Sequence, residues 1–567
     1  MNSETRNCQN CKQDFVIEPD DFGFYEKIGV PAPKLCPLCR RMRRLSWRND
    51  YNLYPRECDL CKKKFISIYS PSHKIKIRAY CPKCFWGDNW DPYECGAEYD
   101  PSRSFIDQFI SLFQTTPALG IVNDNDIGSV NCLYTQDVAF SKNCAMTFVA
   151  WRLENVFCSS YLAAGKYLCD CLGVHSECEY IYDGLMIEQD SRCKSVYWVS
   201  SCVDCNFCYD CRGCSDCFMC AGLRNKRFYF KNQQLTQEEF KKTLDSYNLR
   251  ARSGYSRAKE EFKMFLRDIP RKYAELRNCS NCSGTDMIRS KNTHSANFAS
   301  LSEDSKYVHN GITFKQSYDC AGAGETELAY ESITPDQSYL SMATVYSWKN
   351  NNASYCSDCH SCSNVLGCVG LKKGEYSILN KKYPKGEYFN LREKIIADMK
   401  RRGEWGEFFP ISSSPFGFNE TRAFDQWPIG REDALFRGYN WLDNIQQTRG
   451  KQTLSQEKVP DSIDDVPDTF INEILACLSC GRNYNVLPGE LALYKQLHVP
   501  IPDRCFFCRQ SEREEMRGGF DFMHRRCDCA KSGHNHDKRC PNEFETFFTE
   551  KERRPIYCES CYNSEIV

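Results

Sequence analysis

Short apolar runs separated by small polar residues dominate the middle of the chain. A Ser, Asp or Asn precedes several residues rich in Cys, Tyr, Phe and Val. This pattern favours short β-strands, because β-branched and aromatic residues suit a pleated surface and small polar residues suit turns. With few Asn-Gly or Asp-Gly hairpin turns, it predicts a stacked β-solenoid, with a β-sandwich as the alternative. The clearest runs are 141–151, 154–161, 176–182, 191–199 and 338–348.

Helical patterns follow these runs at two places. Thr236 precedes Glu239 by three residues, a spacing typical of a capping box at the start of a helix. Later in the chain, Leu391, Ile395 and Met399 form an apolar stripe with the i, i+4, i+8 spacing of a docked amphipathic helix. We therefore expect each block of strands to end in helices.

The middle of the chain contains an internal repeat. Residues 214–240 align without gaps to residues 362–388, so the offset is 148 residues throughout. Four cysteines of the first copy coincide with four of the second: Cys208, Cys211, Cys214 and Cys220 with Cys356, Cys359, Cys362 and Cys368. The repeat predicts two homologous half-modules.

Composition limits the role of the cysteines. The chain has 39 cysteines among 567 residues, a net charge of −1, and neither a visible secretion signal nor an apolar run long enough to cross a membrane. A long chain that is not exported does not need disulfides. We therefore expect a cytoplasmic protein without membrane contact, whose cysteines are metal-bound thiolates or buried thiols.

Paired CxxC motifs near the N-terminus predict two metal sites. Two CxxC turns aim four thiolates at one tetrahedral ion and leave no ligand position for water, which is the arrangement of structural zinc. Iron of rubredoxin type and reduced dithiols are the alternatives. The first predicted site comprises Cys8, Cys11, Cys36 and Cys39, and the second comprises Cys58, Cys61, Cys81 and Cys84.

The C-terminal region repeats this arrangement. Cys477, Cys480, Cys505 and Cys508 have the spacing of the first N-terminal site. Three ligands of a further site are predicted at Cys540, Cys558 and Cys561, but Asp537 occupies the position that matches Cys58. The fourth ligand must then come from Cys527, Cys529, His534 or His536; we favour Cys529, with His536 as the main alternative. About four zinc ions per chain are expected.

Seven cysteines recur with period three between Cys202 and Cys220. This period is neither that of a strand nor that of an α-helix. Such a run could ligate a metal or an iron–sulfur cluster. Alternatively, its thiols could be packed as small hydrophobes. Because Cys205 and Cys217 correspond to Ala353 and Val365 in the second half, we favour packing.

An arginine cluster follows Cys39. Arginine pairs with phosphate and aromatic rings stack on unpaired bases, so this segment predicts contact with RNA or DNA. In the C-terminal copy, Glu512, Glu514 and Glu515 are expected to neutralise the arginines there. A solvated helix is the alternative interpretation. The candidate nucleic-acid-binding residues are Arg40, Arg41, Arg43, Arg44, Trp47 and Arg48.

Four further segments and the four-cysteine modules together carry a family resemblance. The segments are residues 223–240, 371–389, 403–421 and 556–567. The four-cysteine modules are similar to zinc-ribbon domains of treble-clef type. With these segments, nearly the whole chain resembles cysteine-rich zinc-ribbon proteins of Candidate Phyla Radiation bacteria (Patescibacteria). This resemblance implies terminal zinc modules and a cysteine-rich middle, and it assigns no activity.

No enzyme motif supports catalysis: GxxxxGK[ST], HExxH and GxSxG are absent. We expect a non-enzymatic zinc-binding scaffold for a protein partner, with possible RNA or DNA contact; the alternatives are a nucleic-acid-binding protein proper and, with less support, a metal or iron–sulfur redox enzyme. The predicted fold is mainly β and multidomain. Its parts are a double zinc-ribbon domain (1–97), two solenoid-like halves with helical ends (98–278 and 279–446), a linker (447–466) and a C-terminal double zinc-ribbon domain (467–567).

Overall fold

Strands and helices both contribute substantially to the fold, so it is mixed rather than mainly β. None of the described helices is long and apolar enough to cross a membrane. The predicted run 176–182 and most of 191–199 lie outside the described residues. The computed structural model describes residues 2–123, 128–162, 165–167, 169, 171, 184, 186–188, 198–322, 326–333, 337–445, 447–519, 521–550 and 552–566.

The chain forms two compact units, each built from two separate segments. Unit 1 comprises Met1–Val122 and Ala274–Ile445, and unit 2 comprises Asn123–Tyr273 and Gln446–Val567. The N-terminal cysteine pairs therefore belong to the same unit as the second half of the repeat, and the C-terminal pairs belong with the first half. The five parts of the chain expected from the sequence stay predictions.

Unit 1 combines small antiparallel hairpins, parallel strands and helices. Its described α-helices are Pro19–Lys27, Pro37–Leu45, Pro82–Trp86, Phe105–Thr115, Lys385–Arg402, Arg422–Gln426 and Arg431–Phe436, with 3-10 turns at Pro92–Cys95, Ile411–Ser413 and Phe418–Glu420. Its described strands are Glu4–Asn7, Asp14–Ile17, Tyr54–Glu57, Lys64–Ser67, Ala79–Tyr80, Ala118–Leu119, Leu276–Arg277, Gly284–Ile288, Lys291–His294, Ala296–Ser300, Glu303–Lys306, His309–Ile312, Met342–Val345, Asn351–Ser357, Ser363–Leu366, Glu375–Ile378 and Lys381–Lys382.

Unit 2 has the same kinds of element. Its described α-helices are Gln237–Tyr247, Arg252–Leu266, Pro488–Leu497, Phe506–Arg517 and Glu559–Asn563, with 3-10 turns at Gln456–Lys458, Ile463–Asp465 and Asp468–Asn472. Its described strands are Gln136–Ala139, Phe148–Trp151, Leu153–Glu154, Ser160–Leu162, Gly165–Lys166, Met186–Glu188, Trp198–Ser200, Asn206–Tyr209, Cys211–Arg212, Ser215–Ala221, Arg227–Phe230, Gln233–Gln234, Arg271–Lys272, Leu475–Ala476, Asn483–Tyr484, Met523–Arg526, Glu543–Thr546 and Ile556–Tyr557.

The predicted helices form at both places. Thr236 accepts a hydrogen bond from the Glu239 backbone, and the Glu239 carboxylate accepts one in return, which completes the capping box before Gln237–Tyr247. In the second helix, Lys385–Arg402, Ile395 and Met399 are fully buried. These helices therefore follow from local sequence signals.

Neighbouring short strands in the middle of the chain pair in parallel with a constant register. In unit 2, Asn206 pairs with Phe218. In unit 1, Asn351 pairs with Ser363, and Ser363 pairs with Glu375. The offset is twelve residues in each case, so each repeat of twelve residues lies against the next. We call these regions the unit 2 ladder, the described residues between 128 and 230, and the unit 1 ladder, the described residues between 284 and 378.

The backbone turns a corner at every third residue of these ladders. Asp204, Phe207 and Asp210 have φ values of 50°, 52° and 47°, in the left-handed region. Such residues cost roughly 1–2 kcal/mol each when they carry a Cβ. Hydrogen bonds between repeats offset this cost; for example, the amide of Asp216, itself left-handed, donates to the Val203 carbonyl at 3.0 Å. Four corners fit into one twelve-residue repeat.

The solenoid predicted from the sequence is not confirmed as an architecture. The named strands are grouped in separate sheets of two to five strands. The multidomain character and the abundance of short strands are as predicted. Within the ladders, the strands pair in parallel.

Candidate metal centres

Cys8, Cys11, Cys36 and Cys39 converge at the N-terminus of a helix. Cys8 directly follows the strand Glu4–Asn7, and Cys36 is the N-cap residue of the helix Pro37–Leu45. All four sulfur atoms lie within 4.8 Å of one another. The hairpin and the helix thus each supply one pair of thiols to a common point.

Hydrogen bonds donated to the sulfur atoms favour thiolates at the first site. The Cys36 amide donates to Cys8 Sγ at 3.3 Å, and Asn10 Nδ2 donates to Cys39 Sγ at 3.2 Å. Burial raises the pKa of the Cys8 thiol, but backbone amides, that of Cys36 foremost, more than offset this and lower the pKa to about 6. A thiolate ligand is therefore available at Cys8 near neutral pH.

Two further tetrads were predicted from CxxC spacing and have the same construction. Cys81 and Cys505 are N-cap residues of the helices Pro82–Trp86 and Phe506–Arg517. Burial raises the pKa of the Cys477 thiol, but backbone amides lower it to about 7. The sulfur atoms of each tetrad lie within 4.8 Å of one another: Cys58, Cys61, Cys81 and Cys84 in unit 1, and Cys477, Cys480, Cys505 and Cys508 in unit 2.

A fourth tetrad lies in unit 2 and differs from the sequence prediction in one ligand. Its members are Cys527, Cys540, Cys558 and Cys561, all of them buried. Cys527, rather than the favoured Cys529, completes it. The Cys558 amide donates to Cys527 Sγ at 3.2 Å, as the Cys81 amide donates to Cys58 Sγ at 3.3 Å. Cys527 is therefore the counterpart of Cys58.

The misassignment arose from an insertion within the knuckle. Cys58 and Cys61 are separated by two residues, whereas Cys527 and Cys540 are separated by twelve. A gapless alignment to Cys540 consequently placed Asp537 opposite Cys58. The sequence did contain the correct signal, because the offset of 469 residues that relates the first and third sites continues to Cys527.

The residues around this knuckle confirm the corresponding positions. Arg56 donates to Asp59, whose carboxylate accepts the Ala79 amide at 2.7 Å. At an offset of 469 residues, Arg525 donates to Asp528. Asp528 accepts the amide of Ile556 at 2.9 Å, and Ile556 precedes Cys558 by two residues as Ala79 precedes Cys81. The two knuckles thus share their supporting hydrogen bonds as well as their thiols.

Sulfur–sulfur distances fit a tetrahedral ion at all four tetrads. Four thiolates at about 2.3 Å from a central ion lie about 3.8 Å apart along each edge of the tetrahedron. The described tetrads have one such edge at 3.7, 3.9, 3.7 and 3.8 Å: Cys11–Cys36, Cys61–Cys81, Cys480–Cys505 and Cys540–Cys558. The residues present therefore fit four metal ions, each with a closed set of four thiolate ligands.

Contrary to the prediction, the arginine cluster is not available to phosphate. Its six candidate residues lie within unit 1 and are at most 9% exposed: Arg40, Arg41, Arg43, Arg44, Trp47 and Arg48. Trp47 Nε1 donates to the Pro410 carbonyl at 3.0 Å. The interpretation as a nucleic-acid surface is therefore contradicted by the burial of every residue on which it depended.

Acidic residues of the unit 1 ladder bind these arginines. Arg40 and Arg44 contact the two carboxylate oxygens of Asp319 at 2.8 and 3.0 Å. Arg43 pairs with Glu331 on the same ladder. Burial raises the pKa of Glu331 to about 7, although Arg43 lowers it. The arginines thus hold the helix Pro37–Leu45 against the ladder. No sequence pattern predicted that Asp319 and Glu331 would bind them.

In the C-terminal copy, the contacts of Glu512 differ from the expectation. Glu512 does not simply neutralise the neighbouring arginines, because it binds Lys259 at 2.8 Å and Lys263 at 3.2 Å on the helix Arg252–Leu266. Arg513 and Arg517 are buried. In the modules of Cys8 and Cys477, charged residues after the last CxxC therefore anchor the module within its own unit.

The period-three cysteines are arranged as buried thiols. Cys205, Cys208 and Cys211 each directly follow a left-handed corner, so the corners account for the period of three. Each is fully buried, and the Cys208 thiol donates to the carbonyls of Asn206 and Cys217. Among the described residues, no set of metal-capable side chains includes a member of this run. The arrangement favours packing over metal binding.

Comparisons of the chain with protein-family models, with curated proteins and with solved structures give no match.

Proposed function

We propose that the protein is a non-enzymatic, zinc-stabilised scaffold that binds another protein. The observation that carries this proposal is the closed geometry of the four cysteine tetrads. An ion held by four thiolates has no ligand position for water or substrate, so its role is to stabilise the fold. Zinc fits this role because soft thiolates in a tetrahedral set select zinc or iron, and zinc has no redox chemistry.

The ladders provide the extended part of this scaffold. Their constant twelve-residue register supports a solenoid-like winding of each half, in which every repeat contacts its neighbours and presents side chains to the outside. Buried ion pairs such as Arg44–Asp319 hold the metal modules on them. The proposed function of the metal is thus to keep rigid modules fixed to a repeat surface.

Three exposed apolar residues near the start of the unit 2 ladder support a protein partner, and we call them the patch residues. Val130, Leu133 and Phe140 are 61%, 53% and 65% exposed. Large apolar side chains left exposed at a surface are a common feature of protein-binding sites. We propose that an apolar surface of a partner protein covers these three residues.

The experiment replaces all three patch residues by lysine in the full chain and uses a photo-crosslinking residue at Tyr134, beside the patch. Wild type should form a stoichiometric crosslinked complex with one protein, and the triple variant should lose it. A matched control carries lysine at Val16, Phe436 and Leu478, exposed apolar residues that do not belong to the ladders. Equal crosslinking by the patch variant and wild type would contradict the proposed surface.

The nucleic-acid alternative is tested on the same wild-type protein. Binding of labelled RNA and DNA is measured while salt is titrated, because phosphate contacts weaken steeply as salt rises. The scaffold proposal expects no salt-sensitive binding. Tight, salt-sensitive binding would instead favour a nucleic-acid-binding protein that uses a surface other than the arginine cluster.

A further inference from the structure

The insertion between Cys527 and Cys540 carries a second group of possible ligands. Cys529, His534 and His536 lie on it, and together with Cys561 their ligand atoms lie within 4.8 Å of one another. Cys561 is also a member of the fourth tetrad, so one sulfur atom faces both groups. The matching knuckle Cys58–Cys61 has only two intervening residues.

The geometry points to a second metal ion, of the zinc type, held by Cys529, His534, His536 and Cys561 and joined to the fourth tetrad through the shared Cys561 thiolate. This inference rests on the proposed metal binding at that tetrad. It goes beyond it by assigning a two-ion centre with five thiolates and two imidazoles. A thiolate sulfur has lone pairs enough to bind two ions at once.

The distances suit such a site. Cys529 Sγ lies 3.1 Å from His534 Nδ1, and Cys561 Sγ lies 3.3 Å from His536 Nε2. In a tetrahedral zinc site with nitrogen at about 2.05 Å and sulfur at about 2.3 Å, such an edge is about 3.6 Å. Both distances fall within about half an ångström of that edge.

Both imidazoles are oriented by an oxygen on the side away from the thiols. His534 Nε2 lies 3.1 Å from Glu565 Oε1, and His536 Nδ1 donates to the Lys538 carbonyl. Because a carbonyl only accepts, the proton of neutral His536 is on Nδ1 and the lone pair of Nε2 points towards Cys561. In the same way, the Glu565 carboxylate holds the proton on Nε2 of His534 and leaves Nδ1 bare towards Cys529.

Such oxygen partners are the usual support of metal-binding histidines. The unprotonated nitrogens of both imidazoles face buried thiols. Here Cys529 is fully buried and Cys561 is 2% exposed.

Charge also favours the second ion. A tetrathiolate site with one divalent ion carries two negative charges in a buried place, which is costly. Two divalent ions with five thiolates and two neutral imidazoles carry one. The shared centre therefore buries less net charge than the tetrad alone.

The decisive experiment is zinc counting combined with X-ray absorption at the zinc edge, both on the full chain. The inference expects five zinc ions by native mass spectrometry. It also expects a zinc–nitrogen shell at about 2.0 Å. Because the four tetrads contain only sulfur, that nitrogen shell reports the insertion alone.

Variants complete the test. His534→Asn with His536→Asn should remove one zinc ion and the nitrogen shell, while the matched control His524→Asn, an exposed histidine on the adjoining strand, should keep both. Four zinc ions without nitrogen in wild type would overturn the inference and leave the proposed tetrads intact. Four zinc ions together with a zinc–nitrogen shell would overturn the shared centre. One ion bound with the histidines would then replace the pair of ions. Fewer than four would count against the proposed tetrads themselves.

Discussion

At the scale of single residues, buried ion pairs explain the arginine cluster, whose role the spacing of residues along the sequence did not reveal. Asp319 is fully buried and binds two guanidinium groups, those of Arg40 and Arg44, which are themselves at most 1% exposed. Removing one partner from a buried set leaves an uncompensated charge and costs far more than removing an exposed pair. Asp319 is therefore the residue on which the docking of the first module most depends.

We expect Asp319→Ala to destabilise unit 1 by about 3–5 kcal/mol, because two buried guanidinium groups lose their carboxylate. Denaturant unfolding of the full chain, followed in unit 1 by hydrogen exchange, measures this loss. The matched control is Glu303→Ala, which removes only an exposed pair with Lys291 at 3.6 Å. Similar losses for the two variants would contradict the assignment of Asp319.

Asp358 has no arginine at the two positions that supply arginine partners to its counterpart in the other half of the repeat. Its counterpart at the offset of 148 residues, Asp210, binds Arg212 and Arg224. The matching positions in unit 1 are His360 and Lys372. Burial raises the pKa of Asp358 to about 8, and the nearby Leu119 backbone amide lowers it only in part. Asp358 is therefore mostly protonated at neutral pH.

This raised pKa sets the sign of a pH dependence. Between the ordinary aspartate pKa and about 8, the folded state holds one proton more than the unfolded state, so the stability of unit 1 falls as pH rises. Asp358→Asn removes this effect. Relative to wild type, the variant should gain about 1.4 kcal/mol for each pH unit from pH ~6 to ~8. Stability curves that stay parallel across this range would contradict the assignment.

At the scale of elements, the ladders explain the cysteine-rich middle. A left-handed corner at every third residue turns the positions that follow it inwards, as at Cys205 and Cys208. Such an inner position needs a small, apolar side chain. The other half meets this need with Ala353 and Val365 at positions that match Cys205 and Cys217.

We expect Cys205→Ala with Cys217→Val to be tolerated, with a loss below about 2 kcal/mol, because both substitutions reproduce the packing of the unit 1 ladder. Zinc content should not change. Thermal unfolding and elemental analysis of the purified variant test both points. Loss of metal, or of visible absorbance, would show that the run ligates an ion.

At the scale of the whole molecule, each compact unit contains two of the four tetrads. The sites of Cys8 and Cys58 belong to unit 1, and those of Cys477 and Cys527 belong to unit 2. Metal binding at such sites supplies folding free energy on the order of 10 kcal/mol each. Each unit should therefore depend on its own metal ions.

Two matched variants test this dependence. Cys36→Ser and Cys505→Ser change the corresponding N-cap thiol of the first and third sites. Each should lose one zinc ion and raise hydrogen exchange in its own unit, including the ladder that its arginine-bearing helix contacts, while Cys208→Ser should keep all zinc. A rise confined to the residues of the altered module would show that the module does not support the ladder.

Features that depend on local spacing could be predicted from the amino-acid sequence alone. Three tetrads follow from two CxxC turns each, and the capping box at Thr236 and the offset of 148 residues are likewise read along the chain. Local spacing suffices there because a CxxC turn brings its two thiols together whatever surrounds it.

The role of the arginines, the choice among the candidate ligands of the fourth tetrad and the inward direction of the period-three cysteines became clear in the folded structure. The acid that binds Arg44 is 275 residues away, so no local pattern relates them. Cys527 is recognised as a ligand because folding brings it to Cys558 across a long insertion. The inward direction of Cys208 depends on left-handed corners whose cost is met by hydrogen bonds from neighbouring repeats, which exist only once the ladder has formed.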